Sequence, residues 1–547
     1  MLAARFGLHL PILIAVAVFA STVTLAQIGG GSLVGVIQDP SSAPIPSAKV
    51  LAANLDTGRT DTAVANDLGY YEFPLLPAGR YIVRVKHEGF RPVESEQFTL
   101  NTGTRPRMDL TLPLGAISER VEITAEAPIV NATTTDLGIV MERAKIDALP
   151  LNGRNFQQLV GLQAGVLSSP AGQGSRGGME FNGSPGLGNN LLLDGVDMSF
   201  GENNASASDT GAGGGGALIN AVSVEALQEF KATGSAFAAE YGRATGGVLN
   251  LTTKSGTNQF HGTLFEFFRN DKLDANSFFS NRSGLAKPPL RWNQFGGNFG
   301  GPILKNRLFF FFNYEGAIVR RAQQIVGNVP TPLLLRQLTP GLRQAFSDTP
   351  TDFTATADPN IGLHRRNDRR TNDEQTTLTR VDYNLAKHHL AFRYSYNNQD
   401  VYTPALQLTK GTIFPMRFHN GVAQDGFTIS PRAFNELRVG VNKVGLDRRN
   451  FTLNDPLLGG SSLDVSGTGF AANDQNHIGF FTNTYTVADN FTWISGKHTI
   501  KAGTEIRVVA STRDQQNNPT HGYRNIADLI ADRNFQLTVR FSRSKGY

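Results

Sequence analysis

The sequence predicts a mainly β protein with three parts: a small β-sandwich, a mixed α+β unit and an antiparallel β-barrel that crosses a membrane. Short β-rich runs separated by turn residues fill about residues 31–114 and predict the sandwich. Short helical and strand patterns alternate with glycine-rich segments over about 131–255. From about 256 onward, many segments alternate apolar and polar residues with a period of two. This alternation is typical of membrane strands with lipid on one side and a polar lumen on the other.

The composition argues against several classes of function. The chain has 547 residues, no cysteine and a formal net charge of +5. A sequence without cysteine has no disulfides, no thiolate nucleophile and no cysteine metal ligands. Because the modest positive charge is spread along the chain, nucleic acid is not expected as a partner.

We expect a secretory signal peptide at residues 1–26. Arg5 precedes an apolar run from Ile12 to Ala20, and small residues follow up to Ala26, where cleavage is expected. The run is about half as long as a membrane-spanning helix needs to be, and a membrane anchor is the alternative interpretation. Export of this kind, combined with the barrel pattern, predicts a location in the cell outer membrane.

One strand of the sandwich separates its two faces clearly. In GRYIVRVKHEGF, Tyr81, Val83 and Val85 fall on one face, whereas Arg84 and Lys86 fall on the other. The surrounding region resembles a carboxypeptidase-regulatory-like domain, a transthyretin-like β-sandwich. The matching positions are Gly35, Asp39, Asn54, Thr57, Gly58, Gly69, Tyr71, Phe73, Leu76, Gly79, Tyr81, Val83, Val85, Gly89 and Phe90. The resemblance implies an accessory module that is often regarded as carbohydrate-binding.

The linker at residues 115–130 contains a strand pattern of its own. Its stretch SERVEITAEAP resembles the TonB box, the energy-coupling segment that precedes the plug in outer-membrane receptors. The candidate box residues are Val121, Glu122, Ile123, Thr124 and Ala125. The resemblance implies that a TonB-type periplasmic protein binds here by strand addition. An additional sandwich strand or a plain linker is the alternative.

Long motifs in the middle of the chain follow the order found in one receptor family. They are LPLNGRNF (149–156), LLLDGVD (191–197), QEF (228–230), AEYGRATGGVLNLTTKSGTNQFHG (239–262), LFEFFRNDKLDANSFF (264–279) and RWNQFGGNFGGPILKNRLFFFFNYEG (291–316). They resemble TonB-dependent outer-membrane receptors of the Oar-like branch. The resemblance implies a plug domain at 131–255 and the N-terminal part of a transmembrane barrel at 256–547. The polar residues expected to hold the plug against the barrel wall are Asn152, Arg154, Asn155, Asp194 and Asp197.

The barrel pattern is also visible without the resemblance. In LAFRYSY, Phe392 and Tyr394 oppose Arg393, and LTRVDYNL, NELRVGVNK and TIKAGTEIRVV repeat the alternation. Each segment is close to the ~9–11 residues that a tilted strand needs to cross a bilayer. A soluble sheet with one exposed face gives the same alternation and is the alternative.

The number of strands is small for a plugged barrel. About eight to ten strand candidates follow the plug, whereas plugged transporters have about 22 strands. The sequence therefore predicts an incomplete barrel, from a truncated product or a partial gene model. Two long polar segments, 331–373 and 446–477, are expected to be outer loops without regular structure. The aromatic run LFFFFNYEG is expected near a membrane interface.

No motif for catalysis was found in the sequence. The ten histidines are scattered, and the zinc-peptidase, P-loop and GxSxG patterns are missing. We therefore expect no enzymatic activity, no cofactor and no metal.

Two functions remain open at this stage. The first is an energy-coupled outer-membrane receptor or transporter whose partners are a TonB-type periplasmic protein, outer-membrane lipid and an unidentified extracellular ligand, such as a glycan, siderophore or peptide. The second is a surface carbohydrate-binding or adhesion protein that acts through the sandwich. Tyr70 and Tyr71 are candidates for stacking on sugars, and a place in the sandwich core is the favoured alternative for both. Ligand identity and oligomeric state do not follow from the sequence.

Overall fold

The structure of the chain is a computed structural model. It describes residues 30–115, 121–122, 137–169, 178–184, 188–199, 222–235, 239–282, 286–408, 410–452, 462–466, 468, 470–472, 477–496, 498–516 and 520–538. The expected signal peptide lies outside these residues, as do Ile123, Thr124 and Ala125 of the candidate TonB box. The described residues form a β-sandwich, a plug and a long curved sheet, here called the wall, which confirms the predicted fold class.

The N-terminal sandwich consists of two packed sheets. Its strands are β1 (Gly31–Gln38), β2 (Lys49–Asn54), β3 (Thr60–Val64), β4 (Tyr70–Leu76), β5 (Gly79–Lys86), β6 (Val93–Glu94), β7 (Phe98–Leu100), β8 (Leu110–Thr111) and β9 (Val121–Glu122). One sheet has the order β4–β1–β8 and the other β3–β2–β5–β6–β9, with β7 beside β5. Tyr81, Val83 and Val85 are fully buried between the sheets, which confirms the face predicted for β5.

The two tyrosines suggested for sugar stacking are not free to do so. Tyr71 is a core residue with 1% exposure, and its hydroxyl donates to the carbonyl of Met108 at 2.8 Å. The Tyr70 hydroxyl donates to the carboxylate of Glu72 and also accepts from Arg105. Tyr71 is therefore a core residue, which was the favoured alternative to sugar stacking, whereas Tyr70 is half-buried and its hydroxyl is held in a polar network.

The plug is an α+β unit built on a five-stranded sheet. Its strands and helices are β10 (Leu137–Glu142), α1 (Arg143–Ala148), α2 (Gln157–Val160), β11 (Val166–Ser169), β12 (Gly178–Phe181), β13 (Asn190–Leu193), β14 (Val196–Asp197), β15 (Leu227–Ser235) and β16 (Val248–Thr253). The sheet order is β10–β15–β16–β13–β14, and β11 pairs with β12. Phe156, Phe181 and Phe230 fill the plug core, which also includes Phe311 and Leu378 of the wall.

The wall is an antiparallel sheet whose long strands follow one another in chain order. The long strands are β17 (His261–Asn270), β18 (Leu290–Leu304), β19 (Leu308–Pro330), β21 (Ile361–Asn384), β22 (His388–Pro404), β23 (Lys410–Ser430), β24 (Ala433–Thr452), β27 (His477–Ser495) and β28 (His498–Gln516). The two-residue strand β20 (Thr354–Ala355) lies between β19 and β21 in the chain, and the short helix α3 (Phe278–Arg282) follows β17. β20 pairs only with β21. In the described part of the chain β17 and β28 do not pair with each other, so the barrel is not closed.

The two faces of the wall differ in polarity as predicted. Phe392 and Tyr394 are about half exposed on the outer face, whereas Arg393 between them is buried against the plug. In β24, Val439 points outward and Arg438 is fully buried inside. The aromatic run in β19 is divided in the same way: Phe309 and Phe311 point inward and Phe310 and Phe312 outward. It is therefore shared between the plug contact and the outer face.

The two ends of the wall are built differently. At one end short turns connect β18 to β19, β21 to β22, β23 to β24 and β27 to β28. At the other end, described residues between β19 and β21, between β24 and β27, and after β28 fold into a small subdomain, here called the cap. It is made of α4 (Pro332–Gln337), α5 (Pro340–Ala345), β25 (Ser462–Val465), β26 (Phe470–Ala472), β29 (Thr520–Tyr523), α6 (Ile526–Ile530) and β30 (Gln536–Thr538). Short turns are typical of the periplasmic side and long connections of the outer side.

The cap corrects the expectation of structureless loops. Segment 331–373 contains two helices and the first half of β21, and its helices share an apolar core with the strands that follow β24 and β28. The core residues are Leu334, Leu338, Leu342, Phe346, Leu463, Val465, Phe470, Tyr523 and Leu529. The sequence hid this core because its apolar residues come from three separate connections. None of the helices described here is long and apolar enough to cross a membrane.

The outer face of the wall should not tolerate charge. We expect Val439→Lys to destabilise membrane assembly by about 2–4 kcal/mol, the usual cost of a lysine that faces lipid near the bilayer centre. The measurement is the fraction of protein in the outer membrane that stays folded in unheated detergent gels. Val64→Lys, at a similarly exposed position in the sandwich, is the matched control. Equal assembly of the two variants would argue against a lipid-facing surface.

Candidate functional site: the contacts that hold the plug

A tight turn of the plug inserts its carboxylate among cations of the wall. The turn joins β13 to β14 and contains Asp194 and Gly195. The Asp194 carboxylate lies 3.0 Å from Nε of Arg393 and 3.5 Å from Nη1 of Arg380. It also accepts hydrogen bonds from the backbone N–H and the hydroxyl of Thr253, both at 2.9 Å. We call this group the Asp194 cluster.

The Asp194 cluster is almost completely removed from water. The Arg393 side chain is 1% exposed and that of Asp194 is 10% exposed. Burial alone would raise the pKa of Asp194, but the guanidiniums of Arg380 and Arg393 and the bonds from Thr253 hold it below its ordinary value. The carboxylate is therefore charged at neutral pH. Removing only one partner of such a buried ion pair strongly destabilises the protein, because the other charge stays buried without a counter-charge.

The backbone of the turn also accepts hydrogen bonds from arginines of the wall. Arg393 donates to the carbonyl of Leu193 at 2.8 Å, and Arg438 donates to the carbonyl of Gly195 at 3.3 Å. A Cβ atom at Gly195 would lie 2.4 Å from Nη1 of Arg438, and the residue has a φ of +74°. Only glycine satisfies both the backbone conformation and the close approach of the arginine.

Asp197 extends the same contact along the wall. Its carboxylate is 3.6 Å from Nη1 of Arg507 and 3.9 Å from Nη1 of Arg243, and its side chain is 1% exposed. The carbonyl of Asp197 accepts from the amide of Asn420 at 2.9 Å. Asn442 donates to the neighbouring carbonyl of Ser199 at the same distance. Six inward positions on five wall strands thus contact this short plug hairpin and the residues that directly follow it.

Arg154 forms a second contact with the opposite part of the wall. Its guanidinium is 2.7 Å from Glu225 of the plug and 3.9 Å from Glu315 of β19. The same group lies over the rings of Phe265 and Phe267 of β17, at 4.7 and 4.4 Å from the ring centroids. Cation–π contacts of this length are attractive, more so when water is excluded. Arg154 therefore connects the plug to the first strands of the wall.

The sandwich docks onto the plug sheet through one polar loop. The backbone N–H of Thr102 donates to the carboxylate of Glu229, and its hydroxyl is 3.2 Å from that of Thr252. Lys231 donates to the carbonyl of Gly103 at 2.8 Å. Glu229 is 3% exposed. Burial raises the pKa of this carboxyl to about 7, although the hydrogen bonds from Thr102 oppose the rise.

The sandwich also contacts the turn end of the wall at several well-separated places. Asn66 donates to the carbonyl of Gly496 at 2.8 Å, and Glu72 accepts a hydrogen bond from Thr499, both at the β27–β28 turn. On another side, the carbonyl of Asp56 accepts from the backbone N–H of Asn258 at 2.8 Å. A cavity of about 140 Å³ lies between sandwich, plug and wall. The sandwich therefore lies across the end of the wall that carries the short turns.

The candidate TonB box begins on the sandwich. Val121 and Glu122 form β9, which pairs in parallel with Val93 and Glu94 of β6. These two residues thus continue the edge of the second sandwich sheet. The remaining three candidate residues lie outside the described part of the chain.

The residues predicted to hold the plug have different environments. Arg154, Asp194 and Asp197 contact wall residues, as described above. Asn155 accepts a hydrogen bond from the backbone N–H of Gln157 at 3.0 Å, which is a contact within the plug. Asn152 belongs to a short helical turn that ends at Arg154.

Sequence reasoning did not identify the wall partners of these residues. Arg380, Arg393 and Arg438 were assigned to the polar face of the wall, but nothing in the sequence paired them with the Asp194 turn. The arginines on the inner face were themselves a signal that such partners exist. A buried cation needs a counter-charge, and in a plugged barrel the plug can supply it. Finding the partner required the fold.

A plug packed against a wall with a polar inner face and an apolar outer face is typical of plugged outer-membrane β-barrel proteins. Two family models match the chain: Outer membrane beta barrel domain over residues 252–360 and 337–536, and Carboxypeptidase regulatory-like domain over 32–113. Because the first spans more than half of the chain, the chain belongs to the outer membrane β-barrel family.

The chain is also similar to a curated transporter. It is 27% identical over 305 residues to the TonB-dependent transporter Oar of Myxococcus xanthus, which confirms the resemblance to the Oar-like branch. This match covers 53% of the chain and 27% of the relative, so the chain spans much less than the relative's full length. The barrel family and this relative support a location in the outer membrane, and the relative is a transporter rather than an enzyme.

The chain also has distant similarity to solved outer-membrane structures. The outer membrane transporter YddB from Escherichia coli is 13% identical, with 71% of this chain and 50% of that chain covered and a TM-score of 0.47. A mutant of the ferric enterobactin receptor PfeA from Pseudomonas aeruginosa is 13% identical, with 70% and 55% covered and a TM-score of 0.38.

Removing the central carboxylate should loosen the plug hairpin. We expect Asp194→Asn to destabilise this contact by about 3–5 kcal/mol, because Arg393 would remain buried without its counter-charge. Hydrogen exchange of peptides covering residues 190–199 measures the effect. Asp373→Asn is the control, since Asp373 pairs with Arg320 on the outer face with half of its side chain exposed, and such pairs contribute at most about 1 kcal/mol. Equal exchange in both variants would contradict a central role for Asp194.

The Glu229 contact should weaken as the pH rises. The folded pKa of about 7 lies above the ordinary value of 4.5. The stabilisation by the protonated form is therefore complete below about pH 4.5 and is lost as the pH rises through 7. We expect hydrogen exchange around Thr102, corrected for intrinsic rates, to be faster at pH 8 than at pH 5.5. Glu229→Gln should remove this difference; an unchanged difference would exclude Glu229 as its source.

Proposed function

We propose that the protein is an outer-membrane receptor and transporter that takes up an extracellular ligand with energy supplied by a TonB-type periplasmic protein. The observation that carries this proposal is the Asp194 cluster, in which the plug is held by buried charges on one side of the wall. Apolar packing alone could hold a permanently fixed core, whereas here buried ion pairs are added to the apolar core that plug and wall share. Buried ion pairs give instead a small number of specific contacts that separate together when the plug hairpin moves.

The position of the sandwich adds a second step to this proposal. A ligand that passes the plug would meet the sandwich at the periplasmic end. The sandwich therefore has to break its contacts with the plug and the wall during transport. The sandwich has an apolar core of its own and is joined to plug and wall by hydrogen bonds between polar groups, whereas the plug and wall share an apolar core. The sandwich is therefore expected to undock more readily than the plug.

The candidate TonB box fits this order of events. Its first residues pair with β6 of the sandwich, so a partner that binds the box by strand addition would pull on the sandwich edge first. Force would then pass along the linker to β10 of the plug. Export through the predicted signal peptide and the lack of an enzymatic role are part of the same proposal.

The alternative of a carbohydrate-binding surface protein receives less support. Tyr71 is enclosed in the sandwich core, and Tyr70 is held by Glu72 and Arg105. The sandwich also lies at the end of the wall with short turns, which is the periplasmic side in barrels of this class. A ligand at the cell surface would not reach it there.

Deletion of residues 119–125 should separate binding from uptake. A deletion strain is first grown on a panel of single nutrient sources to find one that depends on the gene. We expect the shortened protein to bind this nutrient at the cell surface but to support no growth on it. Deletion of residues 126–132 is the length-matched control and should retain uptake. Growth of the first variant at the normal rate would rule out coupling through this segment.

Fixing the sandwich to the wall should stop uptake reversibly. The chain has no cysteine, so paired cysteines at Glu72 and Thr499 can be joined selectively by a short cleavable thiol cross-linker. We expect uptake to stop after cross-linking and to return after cleavage. Cysteines at Thr482 and Ser511, which join two wall strands, are the control. Undiminished uptake with a fully cross-linked sandwich would show that undocking is unnecessary.

A further inference from the structure

A ligand-sized cavity lies between the plug and the half of the wall that is nearer the cap. Its volume is about 520 Å³, which is within the range of small-molecule sites. Gly153 and Gln158 of the plug form part of its lining, together with inward residues of β18, β19 and β21. The connection between β17 and β18 contributes Asp271 and Lys287. The lining of the cavity includes no residue of the Asp194 cluster and none of the sandwich.

Two arginines face each other in this cavity. Arg321 of β19 and Arg370 of β21 are direct cross-strand partners, and both line the cavity. Arg370 is 6% exposed, whereas Arg321 is exposed to the cavity space. Like charges directly opposite each other destabilise a sheet. An anion bound between the guanidiniums would remove this repulsion.

A buried hydrogen-bond donor lines the same cavity. The indole Nε1–H of Trp292 is buried and has no hydrogen-bond partner among the residues described. The guanidinium of Arg269 lies 5.5 Å from the centroid of the same ring. A buried donor without an acceptor is unfavourable, so an acceptor group supplied by a ligand would satisfy it.

The carboxylates in the cavity lining have other partners. Asp271 accepts a hydrogen bond from a backbone N–H of β18 at 3.0 Å. Asp274 lies 3.9 Å from Arg269, and Glu374 accepts from the amide of Asn397 at 2.8 Å. Asp271, Asp274 and Glu374 thus each contact a residue other than the two facing arginines.

We propose that this cavity binds the oxyanion group of a ligand, a carboxylate or a phosphate, through Arg321, Arg370 and the indole N–H of Trp292. Guanidinium groups suit such anions because their N–H donors match the spacing of the oxygens. The inference rests on the proposed transport function, since it names the chemical class of the transported molecule. Gly153 is in close contact with Trp292, where an added Cβ would lie 2.6 Å from the ring. The plug segment next to Arg154 would therefore adjoin the bound ligand.

The fluorescence of Trp292 provides a direct test. The chain has only 2 tryptophans, and the other, Trp493, is about half exposed on the outer face of the wall. Trp493→Phe thus leaves Trp292 as the single reporter in the full chain, purified in detergent. We expect citrate or pyrophosphate to change its emission in a saturable and salt-sensitive way. Arg321→Gln should weaken this binding about tenfold or more, as loss of a charge-assisted contact usually does.

The control variant is the neighbouring residue on the other face. Arg320→Gln should leave binding unchanged, because Arg320 points outward and pairs with Asp373. Heat-dependent gel migration verifies that each variant is folded, and Arg321→Lys provides a milder change if Arg321→Gln is not. Binding of citrate alone would identify a carboxylate site, binding of pyrophosphate alone a phosphate site, and binding of both a general oxyanion site.

Two results would overturn the proposal. One is the absence of a saturable change with either anion, and the other is equal binding by the folded Arg321→Gln and Arg320→Gln variants. The test is independent of transport, because it needs neither a membrane potential nor a TonB-type partner. If the protein binds the anion but supports no uptake, the proposed transport function is wrong and the oxyanion site stands. If it supports uptake but binds no anion, the oxyanion site is wrong and the transport function stands.

Discussion

The buried pairing of Asp194 with Arg393 and Arg380 is the interaction on which the plugged arrangement depends. The alternation of the wall places arginines on its inner face, and the plug excludes the water that would otherwise solvate them. Such cations are tolerated only with a counter-charge and hydrogen bonds nearby. The plug supplies both at a single hairpin, so plug and wall satisfy each other's polar groups and neither is complete alone.

The plug is attached to the wall by a different kind of interface from the one that attaches the sandwich to plug and wall. Plug and wall share an apolar core that includes Phe311 and Leu378, in addition to the ion pairs. The sandwich has its own separate core and contacts the other two parts through polar loops. Polar contacts between domains are typical of interfaces that open. The fold thus combines a firmly held plug with a more loosely held module beneath it.

The sequence predicted the elements better than the contacts between them. The faces of β5, β22 and β24 followed directly from alternation, because a period of two assigns each side chain to one side. The cap was missed, since its core collects apolar residues from connections that are far apart in the chain. The pairing of Asp194 with Arg393 spans 199 positions, and local patterns carry no information about such a distance. Motif resemblance pointed to Arg154, but it gave no indication that this residue stacks on Phe265 and Phe267.

By itself, the sequence determined that the chain forms a β-sandwich, a mixed α+β unit and a sheet with one apolar face, because turn residues and hydrophobic period act locally. The role of the mixed unit as a plug followed from the resemblance of its motifs to a receptor family. The sequence also determined which side of each wall strand is polar. Only the tertiary structure decided which charges meet, that the sandwich lies across the short-turn end of the wall, and that Arg321 and Arg370 face each other in a cavity. These features depend on the register between strands and on the docking of separate units, which bring together residues that share no local pattern.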